Sequence, residues 1–504
     1  MWRSLSLLIS ALTLASPTAL AAGDTLRIAH YDMPAQFGMP YGTFGSNGAL
    51  PLHAVFDALV YVDARGGAAP GLALSWEPIG QDRWVFKLRP GVRFHNGEAF
   101  TSASIVANVE AVIGDPVIMN QQVSRQIDGL AGARAIDELT VEIRTTRPDV
   151  ILPQRLALLR PHEPKAWRDM GPEQFGRRPV GTGAYRIEDW SRERIVGRAY
   201  ADGWRKPRIP SLEILALPET AARVQGLNSG QVDIAWLLPP DAKLAVEAAG
   251  NRVMASPTNN TLNLMLVHTK SDSPVSDVRV RRALNYAFDK ETFIRTMMRG
   301  TTVASGQPAA PGMVGHFDDI KPYPYDPALA KRLLTEAGHG NGLKLTAEIV
   351  TAIGEFKDTM EAMANDFKKV GVDLELRVVT IPDFVRRVLG VERWAGDAFS
   401  MQYEGYPSSD LMRVMNTHSC LVRQGTRQPH TCFEEIMPTI NRANATFDRA
   451  ERERLLREIA RFYHDNATAV FSHQLVQLDG LSPKVRNYAM ENRVVNYDRI
   501  EFAN

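Results

Sequence analysis

Residues 343–378 read LKLTAEIVTAIGEFKDTMEAMANDFKKVGVDLELRV, and this stretch decides the fold class. Leu343 to Val350 reads as a strand. Glu355 to Val370 has the spacing of a helix that stops at Gly371, and Val372, Leu374, Leu376 and Val378 then alternate with polar residues as the next strand. Strand, helix and strand in that order make a βαβ unit, which implies a parallel pair joined by a right-handed crossover. The neighbouring segments follow the same grammar. Asp326-Pro327 is a helix cap followed by proline at the first helical position, Ala330, Leu333, Leu334 and Ala337 form a stripe, and Gly338 ends it. Val280, Ala283, Leu284, Ala287 and Phe288 share one helical face, and a last helix over Asp448–Asp465 carries Leu455, Leu456, Ile459, Phe462 and Tyr463. Upstream, Thr25–Ala29, Trp84–Leu88 (ended by Pro90-Gly91) and Leu139–Arg144 read as strands. The fold class is α/β, without internal repeats.

Composition sets the outer limits. The 504 residues are 44% hydrophobic and 23% charged, which excludes a disordered chain, a coiled coil and a collagen-like repeat. That length suggests about three domains or a few large lobes. Lys+Arg 58 against Asp+Glu 57 leaves a formal charge of +1, so no global field draws the chain to nucleic acid or an anionic membrane. Met1–Ala22 has Arg3, a short apolar stretch from Leu5 to Ala15, and small residues at Ala19-Leu20-Ala21-Ala22: the pattern of a secretory signal peptide cleaved near residues 21–22. No later stretch is long and apolar enough for a membrane span. An exported chain places Cys420 and Cys432 in an oxidising compartment, where they read as a disulfide worth about 3 kcal/mol. A metal site is the weaker reading: His418 and His430 each precede a Cys by two residues, but no second couple stands at ligand spacing.

A search for catalytic spacings returns nothing. The sequence has no His-Glu-x-x-His, no Gly-x-Ser-x-Gly and no P-loop. Gly181-Thr182-Gly183 lacks the third glycine and the following helix of a phosphate cradle, and His95-Asn96-Gly97 reads as a structural turn. No catalytic residue, resident metal or cofactor is expected. The Gly/Pro-rich run Met33–Leu50 carries Phe37, Tyr41 and Phe44, which suit a ligand wall or simple core packing equally.

Several ordered blocks carry a family resemblance. Leu74-Ser75-Trp76-Glu77 with Trp84 to Glu98, then Pro179 to Tyr185, Asp277 to Ala287 and Tyr325 to Leu334, resemble bacterial extracellular solute-binding proteins of family 5, receptors for peptide, nickel and opine ABC importers. The resemblance implies a two-lobed periplasmic-binding-protein fold of type II, with two hinge crossings and an extra subdomain in lobe I. Lobe I would comprise residues 23–256 and 470–504 with a subdomain over about 50–173, and lobe II residues 257–469. The hinge strands would lie near Thr258–Leu266 and Val470–Leu478. It implies a monomer that binds a small ligand between closing lobes and hands it to permease subunits with their ATPase. Dipeptide receptors of the family carry a disulfide where Cys420 and Cys432 stand.

The ligand is less legible. Dipeptide receptors hold the ligand amine with an Asp in a Trp-x-Gly-Asp-like stretch; the matching stretch is Gln402 to Pro407, where Tyr406 stands in that place, with Glu404 or Asp410 as substitutes. The Arg expected for the carboxylate is missing from Glu348–Phe356. Recognition of di- or oligopeptides through main-chain hydrogen bonds survives that change. Leu156 to Pro161 resembles a stretch of nickel receptors whose Arg meets a chelate's carboxylates, which makes Arg160 a candidate, and His418 resembles their metal-proximal His. An opine would suit Arg160 equally. The remaining candidates are Asp32 after the first strand, Trp236 and Tyr403 for stacking, and Asn263 on a hinge strand. The rival from another class is a secreted α/β hydrolase.

Overall fold

The computed structural model describes residues 25–503, apart from 44–45, 352–353, 389–391, 424–425 and 428–429. The expected signal peptide and Phe44 lie outside the described residues. Ten strands form the main sheet: β1 Thr25–His30, β2 Tyr185–Trp190, β3 Arg194–Ala199, β4 Ser211–Ala216, β5 Ile234–Ala235, β6 Arg252–Leu266, β7 Leu343–Ile349, β8 Val372–Val378, β9 Ala398–Glu404 and β10 Ala469–Leu481. Their spatial order is β8-β7-β9-β6-β10-β5-β1-β4-β3-β2.

The βαβ unit is present as read. β7 and β8 pair in parallel from Leu343 opposite Val372 to Ile349 opposite Val378, joined by the helix Gly354–Lys368. Gly371 ends the connection at φ +87°, a conformation that glycine adopts without steric cost. The cap read at Asp326 is present, and two further aspartates cap their helices in the same way. Asp326 accepts from the Leu329 N–H ahead of Pro327–Glu336, Asp277 from the Arg279 N–H ahead of Val278–Ala287, and Asp448 from the Glu451 N–H ahead of Arg449–Asp465.

Strand directions divide the sheet. β1, β4 and β5 are parallel to one another, as are β7, β8 and β9. The long strands β6 and β10 are antiparallel and join the two sets. Residues 252–257 of β6 face 476–481 of β10, and residues 261–265 face 469–474, with register breaks after Pro257 and after Leu262. Proline has no N–H to give the ladder, which accounts for the first break. β9 then takes the free edge of β6 from Asn260 onward. The result is a two-lobed α/β protein whose lobes are bridged by two strands. Separate apolar clusters fill them, one around Leu26, Phe86 and Trp190 and two others around Met265, Tyr403 and Ile459 and around Leu284, Leu345 and Phe367.

A second, four-stranded sheet runs Ala73–Pro78, Arg83–Leu88, Thr140–Thr145 and Leu130–Asp137 in spatial order. The helix Ser102–Gly114 buries Ile105, Val109 and Val112 in the same core. Gly181 and Gly183 lie against the Val55 main chain where no Cβ fits, and His95 joins them, with the Gly181 N–H on Nδ1 and the Gly183 carbonyl 3.0 Å from Nε2. Burial holds that imidazole neutral, its pKa pushed down to about 4. This is the structural turn that the sequence suggests.

Candidate functional site

Parallel α/β sheets bind ligands at the carboxyl ends of their strands. Here β6 runs with β5 and then continues antiparallel to β9, so the carboxyl ends of β1, β4 and β5 face those of β7 and β9 across the crossing at residues 258–260. The cleft is therefore fixed by topology before any side chain is considered. At those strand ends stand His30–Met33, Leu217–Glu219 and Trp236–Leu238 on one side and Glu404–Asp410 on the other.

The lobe I loops are tied together by buried charge. Arg223 donates to the Leu217, Pro218 and Leu237 carbonyls, linking the ends of β4 and β5. Leu237 sits at φ +57°, strained for a branched side chain, and its N–H is held by Asp479 of β10. Asp479 also accepts from Gln477 and from the Tyr488 hydroxyl. Burial pushes its carboxyl up to about 6, against the pull of those hydrogen bonds. An acid with a raised native pKa binds its proton more tightly when folded, so stability falls as pH climbs from about 4 to about 6, by roughly 3 kcal/mol. Asp479→Asn is expected to flatten that slope. Urea midpoints of the two proteins at pH 4.5 and 6.5 check it, and parallel shifts would refute it.

At the lobe junction the decisive residue is Arg160, 1% exposed, from the loop after the short helix Leu156–Leu158. Its Nη1 donates to the Pro40 and Thr43 carbonyls at 3.4 and 3.3 Å, and its Nη2 lies 3.5 Å from the Tyr406 hydroxyl of lobe II. Among the described residues no carboxylate pairs with it. The neighbouring Tyr41 and His53 are neutral: burial raises the phenol's pKa and lowers the imidazole's, and the Arg160 charge lowers both. Two positions before Tyr406, Glu404 lies between Arg413 at 3.6 Å and Arg493 at 3.7 Å. Arg413 reaches across to Gln126 at 2.8 Å, beside a cavity of about 410 Å³ lined by Gln126, Asp149, Arg155, Arg413, Asn416 and Asn444 among others. The junction thus holds two guanidiniums on one carboxylate and a third, Arg160, on the Tyr406 hydroxyl, an arrangement suited to an anionic group.

The sequence candidates divide accordingly. Arg160 and Glu404 both lie at this junction, the first on the Tyr406 hydroxyl and the second between Arg413 and Arg493, and Asp32 is exposed at the end of β1, accepting from the Met33 N–H. Trp236, Tyr403, Asn263 and His418 lie in the core. The Trp236 indole donates to the Tyr488 hydroxyl at 3.0 Å, the Tyr403 hydroxyl meets Thr468 at 3.2 Å, and the Asn263 amide donates to Thr261. His418 packs edge-on to Tyr403, with its Nδ1 3.3 Å from His430. Asp410 is committed to Arg452, both oxygens at 2.9 Å, and so is no substitute for the missing Asp. In the proposed ligand wall Tyr41 is buried on Asn108 and Phe37 lies under Arg177. Cys420 and Cys432 face one another with Cα atoms 4.5 Å apart. Arg493 and Asn492 were not legible as site residues; their only local sign is an Asn-Arg pair between two short apolar runs.

Comparison with known proteins supplies the context. Residues 67–413 match the family model described as "Bacterial extracellular solute-binding proteins, family 5 Middle". The dipeptide-binding protein of Escherichia coli K12 is 25% identical over 84% of each chain. Heme-binding protein A of Haemophilus influenzae is 26% identical over 83% of this chain and 81% of its own. Among solved structures, the ABC transporter substrate-binding protein CtaP of Listeria monocytogenes superposes with a TM-score of 0.84 at 16% identity, covering 96% of this chain and all of that one. Among the described residues no helix is long and apolar enough to cross a membrane.

Proposed function

This chain belongs to the bacterial extracellular solute-binding proteins of family 5, and from that premise we propose that it is the periplasmic substrate-binding component of an ABC importer for di- or oligopeptides. It acts without catalysis, as a monomer, closing lobe I (residues 23–256 and 470–504, with its subdomain at about 50–173) on lobe II (257–469). Ligand binds the closed form better and so shifts the population toward it, and the permease with its ATPase reads that shape. The observation that carries this reading is Arg160, a buried cation at the lobe junction whose acceptors among the described residues are all neutral. A peptide carboxylate would supply the missing counter-charge, with charge-assisted hydrogen bonds that neutral oxygens cannot match. The same cation suits an opine or the carboxylates of a metal chelate, which is the second reading. A hydrolase would instead show turnover of peptide or ester.

Native mass spectrometry of protein purified from its own periplasm, followed by denaturation, tests the ligand class. A ladder of small peptides is the expected release; a single opine-like acid, or a mass with a nickel isotope pattern, would replace the peptide reading with the second. The exported protein is expected to begin near residue 22 or 23 and to carry the Cys420–Cys432 disulfide. Alkylation should add nothing before reduction and two groups after it, and labelling without reductant would refute the bond.

A further inference from the structure

The last part of the chain places a second arginine at the cleft in an unusual way. Met490–Glu491 and Val494–Val495 pair as a hairpin with Met490 opposite Val495 and Glu491 opposite Val494, which leaves only Asn492 and Arg493 in the turn. Both have positive φ, +44° and +63°. A two-residue turn of this kind normally puts glycine at its second position, because a side chain there is strained. Here an arginine occupies it, 7% exposed, and its side chain is directed at the other lobe. Strain retained in a buried, charged residue points to a use for that residue.

The contacts show what it reaches. Asn492 donates to the Pro407 carbonyl at 2.8 Å and accepts from Asn259 at the crossing, so the turn is pinned between the hinge strand and the lobe II loop. The Arg493 guanidinium lies 5.2 Å from the Tyr406 ring centre and 3.7 Å from Glu404, while its Nε has no hydrogen-bond partner. Arg160, also from lobe I, approaches the hydroxyl of the same tyrosine. Tyr406 therefore stands between two buried guanidiniums, one without a carboxylate among the described residues and one with an unused donor. The two oxygens of Glu404 are each taken by a different arginine, Oε1 by Arg493 and Oε2 by Arg413. A carboxylate held in that way is a poor receptor for a ligand ammonium group, which would have to displace a guanidinium to reach it.

We infer that Arg493, carried on this strained turn, is a specificity-determining residue that commits the cleft beside Tyr406 to the anionic end of the ligand and leaves its amino end unread by Glu404. The inference rests on the reading of the chain as a peptide receptor, and it names which terminus of the peptide is recognised here. A free carboxylate beside Tyr406 bridges Arg160 and Arg493 and uses the Nε donor. A carboxamide offers neither the charge nor the second acceptor oxygen.

The test is a tripeptide library prepared free, N-acetylated and C-amidated, with retention measured by native mass spectrometry on the full chain and on Arg493→Gln and Arg493→Lys. The free and acetylated libraries should be retained within about threefold of one another and the amidated library at least tenfold less. Arg493→Gln should erase most of that difference, and Arg493→Lys should keep part of it, since lysine restores charge without the fork. Loss of binding on acetylation, equal retention of the amidated library, or unchanged discrimination in Arg493→Gln would each overturn the inference. If no library is retained, the peptide reading fails, and a set of small non-peptide di- and tricarboxylic acids is run against their amides. Acid-selective retention that Arg493→Gln removes would uphold the role of Arg493, and equal retention or none would overturn it. Thermal melting of each variant separates loss of recognition from loss of fold.

Discussion

Replacing Arg160 with methionine is expected to weaken binding of the native ligand by about thirtyfold or more while leaving the protein at least as stable as before. The two effects have opposite signs for one reason. In the free protein the guanidinium is almost wholly out of water, and among the described residues it is compensated by two carbonyls at 3.3 and 3.4 Å and a distant phenol. Such an arrangement returns less than the cost of desolvating the charge, so an apolar side chain of similar length relieves the fold. In the complex the same cation meets the ligand's carboxylate in a dry setting, where truncating one partner of a buried charged pair costs about 2–5 kcal/mol. Methionine retains the packing length and removes only the charge. Affinity by calorimetry and a thermal melt of the unliganded protein check the two halves. Unchanged affinity, or a melt lowered by many degrees with affinity intact, would make Arg160 a structural residue.

Asp57→Ala is expected to cost about 3–5 kcal/mol of lobe I stability. Asp57 is fully buried and is the common acceptor of four groups: Arg205, the Trp204 indole at 2.7 Å, the Thr182 hydroxyl at 2.8 Å and the Tyr61 hydroxyl at 3.1 Å. Removing it leaves several buried donors unsatisfied and strips Arg205 of its closer carboxylate; Asp498, at 3.1 Å, is the remaining one. The opposite logic to Arg160 applies, because this charge is already paired and its partners cannot return to water. Asp498→Ala, which leaves Asp57 in place, should cost far less. Urea titrations of both variants settle the comparison, and a loss below about 1 kcal/mol for Asp57→Ala would show that the network relaxes around the gap. Because Thr182, Trp204 and Arg205 come from 125 to 148 positions further along the chain, loss of Asp57 should also loosen the frame on which Arg160 is mounted.

Much of the architecture was legible from local signals. The apolar alternation of 343–378, the Asp-Pro and Asp caps, and the glycine stops at 338 and 371 are short-range patterns, and the structure places helices and strands within a few residues of each. The cleft residues are of a different kind. Arg160 and Tyr406 are 246 positions apart, and Glu404 meets Arg493 through a turn near the end of the chain. No period of 2 or 3.6 residues carries that information.

Tyr403 and Glu404 make the distinction concrete. They are adjacent on β9, so their side chains leave on opposite faces; one closes against Thr468 in the lobe II core and the other stands between two arginines at the junction. Trp236, Asn263 and His418 were plausible by residue type and by chain position, and packing drew them inside. By itself the sequence determined the alternation of strands and helices, their caps, and hence the α/β class, because those depend on neighbours a few residues away. Only the tertiary structure decided which charges lose their water and which find a partner, because desolvation depends on what the two lobes bring together across hundreds of residues.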